Sequence, residues 1–457
     1  MRSPSAWGES RSASHVGPWV ALYRALLAAT LPITSLAPRF HDKARRRARD
    51  ESTAAESAAR RLETLREDGR EVVVFHAASA GEFEQLKPVL TRLDRSRWIV
   101  VQTFFSPTIY EKERDCPLFD VSCYLPLDYA GRARAFFAWT RPTHFVVNRH
   151  DVWPNHVIEA HRLGIRTAVI NANLHERSLR LHPLARAAGR ALTRHIDLLL
   201  VPSERVATHW RALASPQKIE VVGDSRFDRV LERSREISPQ ATLPSGFADG
   251  KSLVVFGSVH ASDEDAIFGA LAKLRESGKH RSQRYLYVPH EPTPEALARA
   301  EDRFSALDLP SARFTTPSAY DGEPVILGDV VGILADLYRH GDRAYVGGGF
   351  DAGGHSVTEP AVHGCAVAFG PHVEMLDEAV EMQRLGVAKT VRDVDDMLEF
   401  LQLPEEPRAL ARARQEAQEY VRDRTGASDR IIERLFGPSH PASTGSPCSA
   451  GSSTWAV

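Results

Sequence analysis

The sequence has almost no net charge and few cysteines, and each absence excludes a class of protein. In its 457 residues, 58 basic side chains are balanced by 59 acidic ones, so the formal net charge is −1. No global field attracts nucleic acid, and an anionic partner has to be bound by a local patch. The cysteines lack the spacing of a disulfide framework or a zinc cluster, which favours a reducing compartment and predicts no metal site. They are Cys116, Cys123, Cys365 and Cys448.

Long apolar runs are also scarce, and residues 16–37 are the one candidate for membrane contact. Trp19, Leu22 and Leu26 share a face of a predicted helix. A spanning helix would bury Arg24 at a cost of ~2.5 kcal/mol or more, whereas a helix in the interface directs Arg24 toward the headgroups. A cleaved signal peptide and an ordinary core helix are the alternatives. The following basic residues suit an anionic cytoplasmic leaflet: Lys43, Arg45, Arg46, Arg47 and Arg49.

Alternating strand and helix patterns fill the chain beyond Glu51. Two series of β-branched runs separated by helices predict two α/β domains with parallel, doubly wound sheets, and the length also exceeds one ordinary core. The second series begins at 219–222, and one long helix is expected over 404–436. A ligand is expected in a cleft between the domains. The predicted divisions are a membrane-associated helix and basic linker (1–50), a first domain (51–222), a second domain (223–436) and a disordered Ser/Pro/Gly-rich tail (437–457).

A glycine-rich stretch at 347–360 is the most informative feature of the chain. It follows an apolar strand pattern and precedes a helix predicted at 361–367. Five glycines in such a connection leave backbone N–H groups free to face an anion at the helix N-terminus. Glu359, which has capping-box spacing to Ser356, is placed to accept hydrogen bonds from sugar hydroxyls. The stretch predicts a nucleotide-sugar pocket.

The loop HAASAGE at 76–82 follows the first predicted strand. Its ordinary interpretation is a capping box, in which Glu82 closes the helix start together with Ser79. The functional alternative is a carboxylate at the carboxyl edge of the sheet. There the positive helix terminus keeps Glu82 ionised at neutral pH, as a general base must be.

Three other motifs have ordinary interpretations, and two of them have a functional one as well. DVWPN at 151–155 is typical of a helix entry with proline near its first position. Arg226 either clamps a phosphate or carboxylate or pairs with Asp228. His260, which follows another predicted strand, is either a capping or surface histidine or a ligand contact.

Together and in order, these segments resemble the 3-deoxy-D-manno-octulosonic acid (Kdo) transferases of lipid A biosynthesis. The likeness extends from the N-terminal helix to about residue 390, and the order of the motifs makes it specific. The motifs are HAASAGE (76–82), SPT (106–108), DVWPN (151–155), INANLHERS (170–178), GDSRFD (223–228), GSVH (257–260), GDVVGIL (328–334), GGHSVTEPAVHG (353–364) and FGPH (369–372).

The resemblance implies a GT-B architecture of two Rossmann-like domains facing each other across a cleft. It implies a CMP-Kdo donor, a lipid A precursor as acceptor, inversion at the anomeric carbon, and neither a cofactor nor a required metal. The enzyme would lie at the cytoplasmic face of the inner membrane, peripheral or anchored by residues 16–37. Glu82 matches the general base, Arg226 stands where the family has a lysine that stabilises the transition state, and Asp151 keeps an acid of the family pattern. Acceptor binding is implied for Ser79 and Gly81, and donor binding for Ser258, His260, Pro289, His290, Val331, Gly332, Ile333, Gly354, His355, Ser356, Val357, Thr358 and Glu359.

Three departures from the family pattern predict a diverged member. Arg149 replaces a glutamate, His290 replaces an arginine that meets the donor, and Ser356 replaces an asparagine. A charge reversal beside a transition state has a large effect if the group is close. Two other hypotheses therefore stay open, a GT-B enzyme or hydrolysing 2-epimerase that uses a UDP-sugar, and a non-catalytic relative that binds a nucleotide sugar or lipid.

Overall fold

The structure, a computed structural model, describes residues 18–176, 178–236, 242–316, 320–351 and 353–438. Most of the tail predicted at 437–457 lies outside these residues, as do the first two residues of the candidate membrane segment. Arg177, within the motif INANLHERS, and Ala352, within the glycine-rich stretch, also lie outside. The chain divides into two compact units. Unit 1 contains the described residues of Met1–Arg229 and Thr425–Gly445, and unit 2 is Val230–Arg424.

Unit 1 is built on a seven-stranded sheet in which every paired strand is parallel. The strand order is β3-β2-β1-β4-β5-β6-β7. Successive strands are thus added in one direction from β1 to β3 and in the opposite direction from β4 onward, which makes the boundary between β1 and β4 a topological switch point. In open α/β sheets, ligands bind beyond the carboxyl ends of the strands at such a switch point. The strands are β1 (Glu71–Ala77), β2 (Trp98–Phe104), β3 (Val121–Tyr124), β4 (His144–Asn148), β5 (Arg166–Ile170), β6 (Leu198–Val201) and β7 (Ile219–Val221).

Unit 2 contains a second seven-stranded parallel sheet. Its order is β10-β11-β9-β8-β12-β13-β14, with the switch point between β8 and β12. The pairing of β8 with β9 is irregular between Phe256 and Val259, where Ser258 has a φ of 51°. The strands are β8 (Ser252–Val259), β9 (Gln283–Pro289), β10 (Ser311–Arg313), β11 (Val325–Leu327), β12 (Arg343–Val346), β13 (Ala366–Phe369) and β14 (Ala388–Thr390).

Helices lie in most of the connections between successive strands, as parallel pairing favours. Side chains on β1 alternate between the two faces of the sheet, so Val72 and Val74 pack in one apolar cluster and Val73 and Phe75 in another. The helices are α1 (Pro18–Ala29), α2 (Leu31–Phe40), α3 (Asp42–Leu65), α4 (Ala80–Thr91), α5 (Pro107–Glu113), α6 (Ala130–Thr140), α7 (Pro154–Arg162), α8 (Pro183–Thr193), α9 (Glu204–Trp210), α10 (Ser225–Ser234), α11 (Glu264–Glu276), α12 (Pro294–Ser305), α13 (Leu334–Leu337), α14 (Thr358–Val362), α15 (Asp377–Leu385), α16 (Val394–Gln402), α17 (Pro407–Arg422) and α18 (Ala427–Phe436).

The prediction of two α/β units with parallel sheets is confirmed, but two element assignments are wrong. The run at 219–222 does not open the second series, because β7 pairs with β6 at the edge of the first sheet. The helix predicted over 404–436 is two helices, since Gly426 adopts a left-handed φ of 81° between α17 and α18. The carboxylate of Asp228 accepts hydrogen bonds from the backbone N–H groups of Gly426 (2.5 Å) and Ser428 (2.7 Å), which stabilises this break.

Helix α1 is attached to unit 1 by polar contacts. The Arg24 guanidinium donates to Asn155 Oδ1 (2.7 Å) and to the buried Glu159 carboxylate (2.8 Å), and Tyr23 donates to Asp128 Oδ2 (2.7 Å). The expectation that Arg24 points toward lipid headgroups is therefore wrong, because a buried carboxylate binds it. Within the described residues, no helix has both the length and the apolar character needed to cross a bilayer.

The basic residues after α2 do not form a uniformly exposed surface. Arg47 is 8% exposed and donates to the carbonyl oxygens of Phe105 and Leu125, so its predicted place at a lipid leaflet is wrong. Arg46 forms a two-bond ion pair with Glu111. Fewer positive charges of this segment are therefore available to bind an anionic lipid surface than the sequence indicates.

Candidate functional site

Glu82 lies at the carboxyl end of β1, beside the switch point of the first sheet. Its side chain is buried in the first turn of α4, with 7% of the residue exposed. Its carboxylate accepts a hydrogen bond from the Ala78 N–H (2.7 Å), and its own N–H donates to Ser79 Oγ (3.4 Å). The capping arrangement therefore exists. It holds the carboxylate in one position but does not exclude a catalytic role.

Burial raises the pKa of Glu82 to about 7. The Ala78 N–H opposes this effect, the Asp151 carboxylate adds to it, and the Arg149 guanidinium reduces it. Burial therefore opposes the expected effect of the helix terminus, which was to keep Glu82 ionised at neutral pH. A carboxyl group whose pKa is close to the operating pH is well suited to accept a proton in a reaction.

Arg149 lies near this carboxylate, and further cations lie near the neighbouring His150. Arg149 follows β4 with a left-handed φ of 72°, which is uncommon for a residue with a side chain. Burial lowers the pKa of His150 to about 4, and the charges of Arg149, Arg180 and Arg226 lower it further. These arginines therefore lie near one another at the carboxyl edge of the first sheet. A negatively charged substrate group would be stabilised there.

A buried hydrogen-bond network connects the loops of this edge. The Asn148 amide donates to the backbone carbonyl of Glu82 (2.6 Å), and the Asn171 amide donates to Asn148 Oδ1 (2.8 Å) and to Ser225 Oγ (2.8 Å). Ser225 in turn donates to the carbonyl of Gln85 (2.6 Å). The ends of β4 and β5 and the start of α10 are thereby joined to α4, which fixes the backbone next to Glu82 and Arg226.

The glycine-rich stretch of unit 2 differs from the predicted anion cradle. The N–H groups of Gly347 and Gly348 donate to the Gly257 carbonyl (2.9 Å) and to Asp263 Oδ2 (2.8 Å), so they are not free to face an anion. A Cβ on Gly347 would lie 2.4 Å from the Ser258 carbonyl oxygen, so this glycine permits a close backbone approach. The helix predicted at 361–367 is the five-residue α14, which begins at Thr358, without a side-chain cap from Ser356.

Three histidines converge at the carboxyl ends of β8, β9 and β12. His260 and His355 have their Nε2 atoms 2.9 Å apart, and the ring of His290 stacks on both, at 4.7 Å and 4.4 Å between centroids. Asp263, which is fully buried, accepts hydrogen bonds from the N–H groups of His260 and Gly348 and from the Tyr345 hydroxyl. This carboxylate links the loops that carry His260 and His355.

The other predicted site residues lie at the same edges of their respective sheets. Ser79 and Gly81 are exposed beside Glu82, and a Cβ on Gly81 would meet no atom within 4 Å. The stretch from Val331 to Ile333 follows β11, with Gly332 exposed at a φ of 88°. Their roles in binding acceptor and donor stay predictions.

Comparison with known proteins shows what the chain is similar to. Residues 52–229 match the family model described as 3-deoxy-D-manno-octulosonic-acid transferase. A Kdo transferase from Chlamydia pneumoniae is 28% identical, with 80% of this chain and 84% of the relative covered. One from Bordetella pertussis is 27% identical, with 79% and 86% covered. The chain is therefore similar to Kdo transferases over about four fifths of its length, and such relatives indicate a glycosyltransferase. The alternative of a non-catalytic relative stays a hypothesis.

Solved structures of other proteins have a fold similar to that of this chain. The UDP-GlcNAc 2-epimerase from Neisseria meningitidis gives a TM-score of 0.57 at 16% identity, with 80% of this chain and 99% of that chain covered. A glycosyltransferase from Rickettsia africae gives 0.52 at 11% identity, with 80% and 99% covered. At these identities the likeness concerns the fold alone, in which two Rossmann-like sheets follow one another as in GT-B enzymes.

Several residues of the two sites were not singled out from sequence. Asn148 and Asn171 follow strands directly, and that position is the signal that could have identified them. Asp263 stands three residues after His260, at the spacing of a capping box, which the structure contains. Arg180 carries no such local signal, because only the fold brings it near Asp151.

Proposed function

We propose that this Kdo transferase relative moves Kdo, or a related sugar acid, from a CMP-linked donor to a lipid A precursor, with inversion at the anomeric carbon. The observation that carries the proposal is Glu82, a buried carboxylate at a sheet switch point whose pKa is raised to about 7. Relatives that match over about four fifths of the chain are named Kdo transferases, which supports a sugar acid as the transferred group.

Glu82 acts as the general base in this scheme. The acceptor hydroxyl loses its proton to the carboxylate as its oxygen attacks the anomeric carbon, and CMP leaves from the opposite face. Because the pKa of Glu82 is about 7, about half of the molecules carry the ionised form at neutral pH. Arg149, Arg180 and Arg226 supply positive charge for an anionic acceptor or for charge that develops during transfer.

The donor is assigned to unit 2. The connections after β8, β9, β11 and β12 all open at the carboxyl edge of its sheet, where Rossmann-like domains bind nucleotides. His260, His290 and His355 are the polar groups that this edge brings together.

The direct test is transfer from CMP-Kdo to a purified lipid A precursor, measured by the mass of the lipid product. Wild-type protein should form product, and Glu82→Gln should reduce the rate by about 10²–10⁴-fold. Glu84→Gln, two residues along the same helix, is the matched control and should keep the rate close to wild type. Unchanged turnover by Glu82→Gln would refute the base assignment. Consumption of a UDP-sugar, without product from CMP-Kdo, would favour the UDP-sugar hypothesis instead.

We also propose that the protein works at the cytoplasmic face of the inner membrane and that α1 contacts the lipid. Trp19, Leu22 and Leu26 are exposed by 37%, 54% and 61%, whereas Tyr23 and Arg24 attach the helix to unit 1. An amphipathic helix fixed in this way can lie in the interface. A Leu22→Glu, Leu26→Glu double variant should lose binding to vesicles that contain anionic lipid. Retained binding would contradict the role of α1.

A further inference from the structure

We propose that His260, His290 and His355 bind one divalent transition-metal ion of the Zn²⁺ class. Each imidazole offers one ring nitrogen, and the three nitrogens lie within 4.8 Å of one another. The Nε2 atoms of His260 and His355 are 2.9 Å apart. The predicted absence of a metal site rested on sequence spacing, and these histidines are separated by 30 and 65 residues in the chain. Only the sheet edge brings them together.

The separation between His260 and His355 suits two ligands of one zinc ion. Zn²⁺ binds imidazole nitrogen at about 2.0–2.1 Å, so the nitrogens of a tetrahedral site are roughly 3.3 Å apart. The separation between His260 and His355 differs from this by a few tenths of an ångström, which small side-chain rotations can supply. Three protein ligands leave a fourth position for water or a substrate oxygen, as in catalytic zinc sites.

A carboxylate beside the cluster also favours a metal. The Asp351 carboxylate lies 3.5 Å from His260 Nδ1. A carboxylate at the second nitrogen orients a metal-binding histidine and strengthens it as a ligand.

The surrounding backbone leaves room for this arrangement. A Cβ on Gly348 would lie 3.3 Å from His260 Nε2 and 3.3 Å from His355 Cδ2, so a side chain there would crowd the rings. His290 is exposed, which gives an ion a path from solvent. A cavity of about 340 Å³ adjoins the cluster, and His260, His290 and Asp351 line part of it.

The role that we assign to the ion rests on the proposed function. His290 stands where the resemblance places an arginine that meets the donor, so a positive charge is missing from this position. A divalent ion held by three imidazoles restores it and leaves its open position for a phosphate oxygen of CMP. The proton transfer to Glu82 needs no metal, so the ion would tighten donor binding and not perform the transfer.

The site itself is tested without nucleotide. Full-length protein without an affinity tag, treated with a chelator and dialysed, is titrated with Zn²⁺ by calorimetry and with Co²⁺ by visible absorption. Wild type should bind one ion and give the intense absorption of tetrahedral Co²⁺. The exposed His290→Arg substitution should lower affinity at least about tenfold, whereas His280→Gln, at a histidine of unit 2 outside the cluster, should have no effect. Absence of binding by wild type, or equal binding by His290→Arg, would overturn the proposal.

The role in donor binding is tested by CMP affinity with and without Zn²⁺. Removal of the metal should weaken CMP binding to wild type about tenfold or more, in line with the loss of a metal contact. His290→Arg should bind CMP equally well in both conditions, because arginine supplies the charge. Metal binding without any change in CMP affinity would overturn the donor role alone. If CMP does not bind in either condition, the proposed function fails, and the metal titration still decides the site.

Discussion

Replacement of Glu82 by glutamine should make unit 1 more stable at pH 8 while removing activity. The ordinary pKa of a glutamate is 4.5, and burial raises that of Glu82 to about 7. Between these values the folded protein keeps a proton that the unfolded chain has lost, so the free energy of unfolding falls as pH rises. Each pKa unit corresponds to about 1.4 kcal/mol, and the whole effect is about 3 kcal/mol by pH 8.

Glutamine removes the titrating group but keeps an oxygen that can accept the Ala78 N–H. The Glu82→Gln variant should therefore exceed wild type in unfolding free energy by about 3 kcal/mol more at pH 8 than at pH 4. Urea unfolding followed by tryptophan fluorescence measures this difference. Every tryptophan before the C-terminal tail precedes Val230, and Trp98 and Trp210 are buried, so the signal reports unit 1.

Glu84 provides a control of opposite sign. Burial alone would raise its pKa, but Lys87 and Arg229 outweigh burial and lower it. A lowered carboxyl pKa stabilises the fold above the unfolded value, so Glu84→Gln should reduce stability at pH 8. If Glu82→Gln and wild type show the same pH dependence of unfolding, the raised pKa of Glu82 is refuted, whatever the activity assay gives.

Three further predictions concern the surroundings of the sites. Arg149→Glu, which restores the acid of the family pattern, removes a charge that lowers the pKa of Glu82, so the pH–rate profile should move to higher pH; an unmoved profile would contradict this. Arg24→Ala should destabilise unit 1 by about 1–2 kcal/mol, because a hydrogen bond to the buried Glu159 is lost while two arginine partners of Glu159 remain. Limited proteolysis should then cleave α1 faster than in wild type. Gly348→Ala, at a φ of 86° beside the histidine rings, should destabilise unit 2 by about 1 kcal/mol or more in differential scanning calorimetry; an unchanged transition would contradict the contact distances.

Local sequence patterns sufficed to predict the positions of most strands and the loops that carry chemistry. Runs such as 71–75 and 166–170 are rich in valine and isoleucine because strands of a parallel sheet are buried on both faces. In such a sheet the loops after the strands meet at one edge, so residues directly after a strand, including Glu82 and His260, were sound candidates. The edge strands β3, β10 and β14 have three or four residues each, which is too short for a pattern.

Properties that depend on distant residues could not be predicted in this way. The assignment of β7 to the first sheet depends on pairing with β6, and an apolar run carries no record of its partner. The break at Gly426 depends on Asp228, about 200 residues earlier in the chain. The N–H groups of the glycine stretch are partly used by Asp263 and by the neighbouring strand, which the spacing of glycines does not reveal.

The sequence by itself determined the likeness to Kdo transferases, the parallel α/β units and the order of the loops, because these follow from motifs and from the local periodicity of apolar residues. Only the tertiary structure decided the chemical state of the side chains in those loops. Burial at the switch point gives Glu82 a pKa of about 7, and the carboxyl ends of three strands bring His260, His290 and His355 together. Desolvation and proximity arise from the packing of residues far apart in the chain, so no local pattern contains them.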